Sequence, residues 1–480
     1  MLLNGPESFT PDGAFMLGET AETCGLYLGC GMNSVGVASG GGAGMALATM
    51  ILEGAPPADL SGVDPKRFSD AFNSAKALAA RAPEVLGKHY EITYPGRQWT
   101  SQRNLQTTPC HGVWTQHNAH FGQVDGWERP LYFNKKSEPA LTFGRPDWQN
   151  AVAAEAMAAH KSAAVFEQST LGKILVSGAD SESFLNRVCT NDMAHAPGRV
   201  IYTLMLNNRG GIESDLTAMR LTDDQYLLFV GTTALKRDMA WLKRSLNPGE
   251  RVTLQDKTHD LAVLGLMGPS APDIARAVGA EALLDLKYFR HREAMIGGRA
   301  IRGARLSYVG ETGWEIACMA SDASFVLSAL VDAGAKPAGG FAQTSLRIEK
   351  GFLAYGYDMD TDLDPLQLGL SFAVAWSKAF IGREALEALC QNPAQRKMAT
   401  IVLADQDVWP HGNEPVYCGD KIVGMTTSAA YGVRVGAPVA LALLDEDACV
   451  GSVEIDIAGE RALGTAHIGP AFDPKGARMR

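Results

Sequence analysis

The chain has 480 residues, which at about 150 per domain allows about three domains and several cores without disulfide staples. Its 43 basic and 53 acidic residues leave a formal charge of −10, which argues against nucleic acid or an anionic membrane as the main partner. An apolar fraction of 46% with 20% charged residues excludes a largely disordered chain.

Glycine is the outlier, with 51 residues against a usual share of roughly 7%, so many tight turns and close backbone approaches are expected. Eight cysteines, at 24, 30, 110, 189, 318, 390, 418 and 449, form no Cys-x-x-Cys pair and read as reduced thiols; a cytoplasmic location is the expectation. The first residues show no basic or apolar signal region. Thr23 to Leu52 carries no charge, yet its eight glycines with Asn33, Ser34 and Ser39 suit a buried strand–loop–helix better than a membrane span.

In chain order, Leu26 to Leu28 reads as a buried strand. It leads into a glycine-rich loop through Gly44 and a helix over Met45 to Leu52. Such a strand, loop and helix N-terminus can turn backbone N–H groups toward a polar ligand. Arg67 to Leu86 has helical apolar spacing and is followed by aromatic-rich loops around Tyr94, Trp99, Trp114, Phe121 and Trp127; Asn134 to Pro139 with Arg145-Pro-Asp reads as a linker. Helices are predicted over Asn150–His160, Asp180–Val188 and Ala234–Leu246. Strands are predicted over Lys173–Val176, Val200–Leu206, Ser214–Leu221 and Tyr226–Val230, with Asn207-Asn-Arg-Gly-Gly as a hairpin turn. Val176 to Val188 echoes Leu266 to Val278, each reading strand, glycine turn, helix, which suggests a duplicated α+β unit. After about residue 395, short apolar runs between Gly, Asn and Asp turns indicate a small antiparallel barrel or sandwich.

Several strings bear on chemistry. Gly29-x-Gly31-x-x-Ser34, with Glu53 further on, is a degraded dinucleotide fingerprint, and reads better as a loop closing over a ligand held mainly elsewhere. His111, His117 and His120 beside Cys110 lack a second group at metal-site spacing, so no metal is expected. Asp215 and Thr217 lie two apart on one strand and so face the same side, where a carboxylate can take a proton from an amine; a surface hairpin with solvated acids is the alternative. Tyr308 and Glu315 flank the Gly310–Gly313 bend, where they either bracket a flat heterocycle or belong to a plain hairpin. Arg347 sits in an apolar helix, which calls for a carboxylate partner. No nucleophile elbow, phosphate loop or zinc signature is present.

Together, Ser169-x-x-Gly-Lys, Asn191-Asp, Pro197-Gly-Arg-Val-x-Tyr-Thr, Arg209-Gly-Gly-Ile-Glu-Ser-Asp-Leu-Thr, Tyr308-x-Gly-Glu-x-Gly-Trp-Glu, Leu346-Arg-Ile-Glu-Lys-Gly, Phe380-Ile-Gly-Arg-Glu-Ala and Gly412-Asn-Glu-Pro-Val resemble the glycine-cleavage T-protein, a folate-dependent aminomethyltransferase. Asn4 to Gly13, Gly31-Met-Asn-Ser and Gly40-Gly-Gly-Ala-Gly are similar to the C-terminal end of flavin amine oxidases. This order of motifs resembles dimethylglycine and sarcosine dehydrogenases.

The resemblance implies an α+β, multi-domain chain. Residues 1–55 would be the end of a flavin amine oxidase domain, 56–140 its central connecting domain, 146–390 a T-protein-like folate-binding domain and 395–480 a C-terminal antiparallel β-barrel. It further implies Asp215 as the acid that orients or deprotonates a folate amine. Thr217, Tyr308, Glu315 and Arg347 would bind folate, and Asn33, Ser34, Gly40, Gly41 and Gly42 would form a flavin edge. Phe166-Glu167-Gln-Ser departs from the family's Asp-x-Ser at the pocket edge. The family's dinucleotide-binding region and flavin-linked histidine are not in this sequence, so the chain would be either a subunit or a truncated half of a demethylating dehydrogenase, and FAD is expected only if a flavin-binding partner chain completes the site. The implied reaction passes a one-carbon unit from an N-methyl amine to tetrahydrofolate, giving 5,10-methylenetetrahydrofolate, with no nucleic acid or membrane partner. Alternatives are a folate-dependent demethylase of another donor without flavin, and a non-catalytic partner subunit of a flavoprotein.

Overall fold

A computed structural model describes residues 7–135 and 139–480; residues 136–138 of the Asn134–Pro139 linker and 4–6 of the Asn4–Gly13 string lie outside the described residues. The chain opens with β1 (Met16–Glu19), β2 (Tyr27–Cys30) and α1 (Gly36–Glu53), then α2 (Ala75–Lys88), β3 (Gln106–Thr107), α3 (His111–Gln116), β4 (Ala119–Val124) and β5 (Trp127–Phe133). Next come α4 (Gln149–Lys161), β6 (Ala164–Glu167), β7 (Gly172–Ser177), α5 (Ser181–Val188), β8 (Val200–Leu206), β9 (Ile212–Thr222), β10 (Gln225–Val230), α6 (Leu235–Arg244), β11 (Thr253–Asp256), β12 (Leu261–Met267) and α7 (Ala271–Ala277). They are followed by β13 (Arg290–Ile296), β14 (Arg299–Arg305), β15 (Gly313–Met319), α8 (Ala323–Asp332), β16 (Lys336–Ala338), α9 (Gly340–Glu349) and α10 (Arg383–Gln391). The last six strands are β17 (Arg396–Leu403), β18 (Pro415–Cys418), β19 (Lys421–Gly432), β20 (Ala437–Asp445), β21 (Gly451–Ile457) and β22 (Glu460–His467).

Two sheets carry the middle of the molecule. One runs β11-β7-β10-β9-β8 and the other β13-β14-β15-β12-β6-β16. The internal echo of the sequence supplies a strand and helix to each: β7–α5 to the first and β12–α7 to the second. At the bends, Gly178 (φ 129°) and Gly268 (φ 133°) are required, because a Cβ would stand 2.0 Å from Arg251 O and 2.3 Å from Ser162 O respectively. Val200, Met219, Leu227 and Phe229 of the first sheet meet Val263, Ala304 and Ala317 of the second in a shared core. The C-terminal strands close into a barrel, β17-β20-β19-β18-β21-β22, which leaves no exposed edge.

Three local expectations are corrected. The run Ser39–Gly44 is helix, not loop: α1 begins at Gly36, and the true bend is at Asn33 (φ 47°) and Ser34 (φ 67°). Packing of Ala43, Ala46 and Met50 against the body offsets the entropic cost of helical glycine. The helix expected from Arg67 starts only at Ala75, where Ser74 accepts from the Ala77 N–H; before it, Ser69 is bound to Asp125 and the chain forms short turns. Trp114, Phe121 and Trp127 lie in α3, β4 and β5 rather than in loops, because a three-stranded sheet, β3-β5-β4, orders that segment. Among the described residues no helix is long and apolar enough to cross a membrane.

Candidate functional site

The β8–β9 hairpin places Asp215. Asn207 Oδ1 accepts from the N–H groups of Arg209 and Gly211, and its Nδ2 donates to Thr361 O at 3.0 Å. Gly211 lies so close to that segment that a Cβ would stand 1.9 Å from Thr361 O. Along β9, Ser214, Leu216 and Ala218 are buried while Glu213, Asp215 and Thr217 are only half-buried, so Asp215 and Thr217 do share a face. On the neighbouring strand, Tyr202 donates its hydroxyl to Asp215 Oδ2 at 3.2 Å. Burial raises the Asp215 carboxyl to about 6, opposed by the Tyr202 hydrogen bond and, more weakly, by the charge of Arg237. Such a group is suited to exchanging a proton near neutral pH.

Aromatic rings line this region. Tyr202 stacks with Phe372 at 5.9 Å, and Phe372 is 66% exposed. Tyr308 stacks with Phe352 at 6.1 Å and donates its hydroxyl to Leu353 O at 3.0 Å. Burial pushes the Tyr308 hydroxyl up, with Arg347 and Asp215 among the charges acting on it, which joins Tyr308 to the Asp215 neighbourhood.

Arg347 finds the carboxylate its apolar helix requires. Its Nη1 donates to Asp358 Oδ2 at 2.5 Å and to Phe352 O at 3.1 Å, and its Nη2 to Ser428 Oγ at 2.7 Å. Asp358 is fully buried and also accepts from the Ala354 N–H and the Thr427 hydroxyl. With its guanidinium thus occupied, Arg347 holds the 352–358 segment on which the Tyr308 hydroxyl rests.

Glu315 has different neighbours. It lies on β15 opposite Gly265, is 7% exposed, and accepts from Gln168 Nε2 at 3.3 Å. Burial raises its carboxyl to about 7. Gln168 Oε1 is buried beside it with no hydrogen-bond partner. Two acceptors side by side in a buried place form a receptor for a group with adjacent N–H donors. Gln168 was visible in the sequence only as part of the departure at Phe166–Ser169. The neighbouring Glu167 is committed to structure, accepting from Thr108 Oγ1 and Trp114 Nε1 at 2.7 Å each. Tyr202 and Phe372 were also missed as site residues; the pairing of β8 with β9 was the one available signal for Tyr202.

The flavin-edge residues lie apart from these groups, on the N-terminal unit. Asn33 is buried and internally bound, accepting from the Thr10 N–H at 2.9 Å, whereas Ser34 is exposed. Gly40, Gly41 and Gly42 lie on an exposed side of α1 with nothing within 4 Å of a would-be Cβ. The N-terminus of α1 has no side-chain cap. This side of α1 is open to close approach by another surface. His111 opens α3 and His120 lies on β4; among the described residues no group of three or more His, Cys, Asp or Glu could hold a metal ion.

Comparison with known proteins agrees with this architecture. Residues 110–378 match the GCVT N-terminal domain, 396–473 the glycine cleavage T-protein C-terminal barrel domain, and 53–108 the FAD dependent oxidoreductase central domain. The chain is 36% identical over 491 residues to 4-methylaminobutanoate oxidase (formaldehyde-forming) of Paenarthrobacter nicotinovorans, covering 100% of this chain and 59% of that protein. It is 31% identical over 537 residues to mitochondrial sarcosine dehydrogenase of Mus musculus, covering 99% and 58%. It is also 31% identical over 505 residues to the mitochondrial pyruvate dehydrogenase phosphatase regulatory subunit of Mus musculus, covering 98% and 57%. The chain thus spans somewhat over half the length of these relatives. The glycine cleavage system aminomethyltransferase T of Bartonella henselae shares the fold, with a TM-score of 0.68 at 23% identity over 77% of this chain and 98% of that one. With more than half its length in the GCVT domain and the barrel domain following it, this chain belongs to the glycine-cleavage T-protein family, as an aminomethyltransferase-type enzyme module related to sarcosine and dimethylglycine dehydrogenases.

Proposed function

We propose that the chain binds tetrahydrofolate between the Asp215–Tyr308 region and the Glu315–Gln168 pair, and captures there a one-carbon unit released from an N-methyl amine of the dimethylglycine or sarcosine type. The observation that carries this reading is the buried acceptor pair of Glu315 and the unpartnered Gln168 Oε1, which matches the adjacent N–H donors of a pterin edge. Tyr308, Phe352, Tyr202 and Phe372 offer flat faces to its rings. Thr217, on the Asp215 face of β9, contributes to the same wall, and Arg347 acts by holding residues 352–358 in place.

In the transfer, an iminium carbon is attacked by one folate amine, whose N–H proton goes to Asp215. Asp215 returns that proton to the departing amine nitrogen, and the second folate nitrogen closes the methylene bridge as it gives up its own N–H proton, which protonates the released amine. The sum is iminium plus tetrahydrofolate giving 5,10-methylenetetrahydrofolate plus a protonated amine. A flavin, held by a partner subunit and met by Asn33, Ser34 and Gly40 to Gly42, would supply the oxidation of the N-methyl amine.

Calorimetric titration of the purified chain with tetrahydrofolate tests this. Glu315→Ala should weaken binding by about tenfold or more, the effect of losing a charged hydrogen-bond acceptor. Asp215→Asn should keep binding but slow transfer about a hundred- to ten-thousand-fold, and the wild-type rate should rise with pH through about 6 as the carboxyl ionises. Absence of folate binding by a well-folded chain would overturn the reading. It would favour a regulatory subunit instead, a role carried in the name of one relative and compatible with the exposed apolar side of α1, where Val37, Met45 and Leu52 face solvent.

A further inference from the structure

Within the field of Asp215, a second group of side chains has unused hydrogen-bonding capacity. Arg237 on α6 places its guanidinium 4.3 Å from the centre of the Tyr355 ring. Its Nε and Nη2 are buried and make no hydrogen bond, and the Tyr355 hydroxyl is likewise buried and unpartnered. The nearest acid, Asp238, is 3.6 Å from Nε, too long for a hydrogen bond, and it instead accepts from Ser214 at 2.6 Å. Buried guanidinium N–H groups left without acceptors are costly, so their retention calls for an explanation.

The surroundings have mixed charge. Three carboxyls feel the field of Arg237: Asp215, Glu213 and Asp238. Burial raises all three, Asp215 and Asp238 each to about 6, while Arg237, Glu213, Asp215 and Tyr355 all keep partial access to solvent. In this group a cation and a phenol carry unused donors, and acids stand close to them, of which Asp215 has the transferase role above.

We propose that Arg237 and Tyr355 form a subsite for the carboxylate of an amino acid, with that molecule's amine directed at Asp215 and Glu213. The ligand class is a zwitterion: its carboxylate takes the unused donors of Arg237 and the Tyr355 hydroxyl, and its ammonium or iminium nitrogen faces the acids. A simple anion would meet the three carboxyls unfavourably, and a simple amine would leave the guanidinium unpaired. The subsite rests on the transferase reading, since it positions the one-carbon donor and the demethylated product beside Asp215. It also adds a selection rule: donors bearing a carboxylate are preferred over methylated amines without one.

Ligand-observed NMR and calorimetry on the full chain, with tetrahydrofolate present, can test this using glycine, 4-aminobutanoate, methylamine and acetate as probes. At least one of the two amino acids should bind more tightly than methylamine and acetate. Arg237→Met should weaken that amino acid about tenfold to a hundredfold, the effect of removing hydrogen bonds to a charged group, and leave methylamine unaffected. Tyr355→Phe keeps the ring under Arg237 and removes only the hydroxyl, so a several-fold loss in this variant supports the subsite even if Arg237→Met does not fold. Equal binding of amino acid and methylamine, or unchanged amino acid affinity in a folded Arg237→Met chain that still binds tetrahydrofolate, overturns the proposal. Arg237-dependent amino acid binding in a chain that fails to bind tetrahydrofolate would uphold the subsite and sink the transferase reading.

Discussion

Glu315 shows how a single residue couples the site to stability. Its carboxyl is raised from 4.5 to about 7, mainly by burial. Between about pH 4 and pH 7 the native state therefore holds a proton that the unfolded chain has released, so stability falls as pH rises through this window and levels off above it. The shift corresponds to about 3 kcal/mol. Glu315→Gln removes the ionisation while keeping the shape, so thermal melts should show the variant more stable than wild type at pH 7.5 and indistinguishable from it at pH 4. Its tetrahydrofolate affinity should move the opposite way if the ionised carboxylate is the acceptor of the pterin edge. A carboxyl whose ionisation burial penalises to this extent is better explained by a ligand than by packing, since a glutamine would pack as well without the penalty.

At the scale of elements, the duplicated strand–turn–helix unit depends on its two glycine bends more than on its helices. A methyl group at Gly268 would stand 2.3 Å from Ser162 O and 2.6 Å from Ala159 O, in a backbone conformation that L-residues rarely adopt. Gly268→Ala should cost about 3 kcal/mol or more in urea titration. Gly279, also left-handed (φ 84°) but with open space around it, is the control, and Gly279→Ala should cost about 1 kcal/mol. Equal costs would mean that backbone conformation alone, without the close approach of the α4 end, sets the requirement. Helix α1 shows the converse, because Gly40, Gly41, Gly42 and Gly44 have no close neighbours and the helix is held by a narrow buried stripe.

For the whole molecule, a buried charge network joins the parts. The side chain of Arg434, in the β19–β20 turn of the barrel, is completely buried and pairs with Glu349 of α9 at 2.6 Å and Glu311 of the β14–β15 loop at 3.0 Å. Glu311 also binds Arg478 of the C-terminal tail and His160 of α4. Arg434→Met leaves both acids buried without their shared cation and should destabilise the chain by about 3–5 kcal/mol in denaturant unfolding. Adding Glu349→Met should recover part of that loss, because what costs most is the uncompensated charge rather than the missing pair.

Much of the architecture was legible in the sequence because it rests on local signals. The alternation along β9, the apolar runs of β7, β8 and β10, the Asn207–Gly211 turn and the short barrel strands between turn residues are all local patterns, and the strand period alone put Asp215 and Thr217 on one face. The Arg347 ion pair followed from burial chemistry, although its partner, Asp358, did not. Ser39 to Gly44 was misread because glycine has a low helix propensity, and only contact of Ala43, Ala46 and Met50 with the rest of the chain offsets it. Which groups meet was decided by tertiary structure. Tyr202 reaches Asp215 through strand pairing, Gln168 reaches Glu315 across 147 residues, and Arg237 comes over Tyr355 by packing of α6 on a distant loop. Hydrogen bonds and desolvation act over a few ångströms in space, so a partner many residues away leaves no periodic trace in the chain, whereas an alternating pattern or a turn leaves one within ten residues.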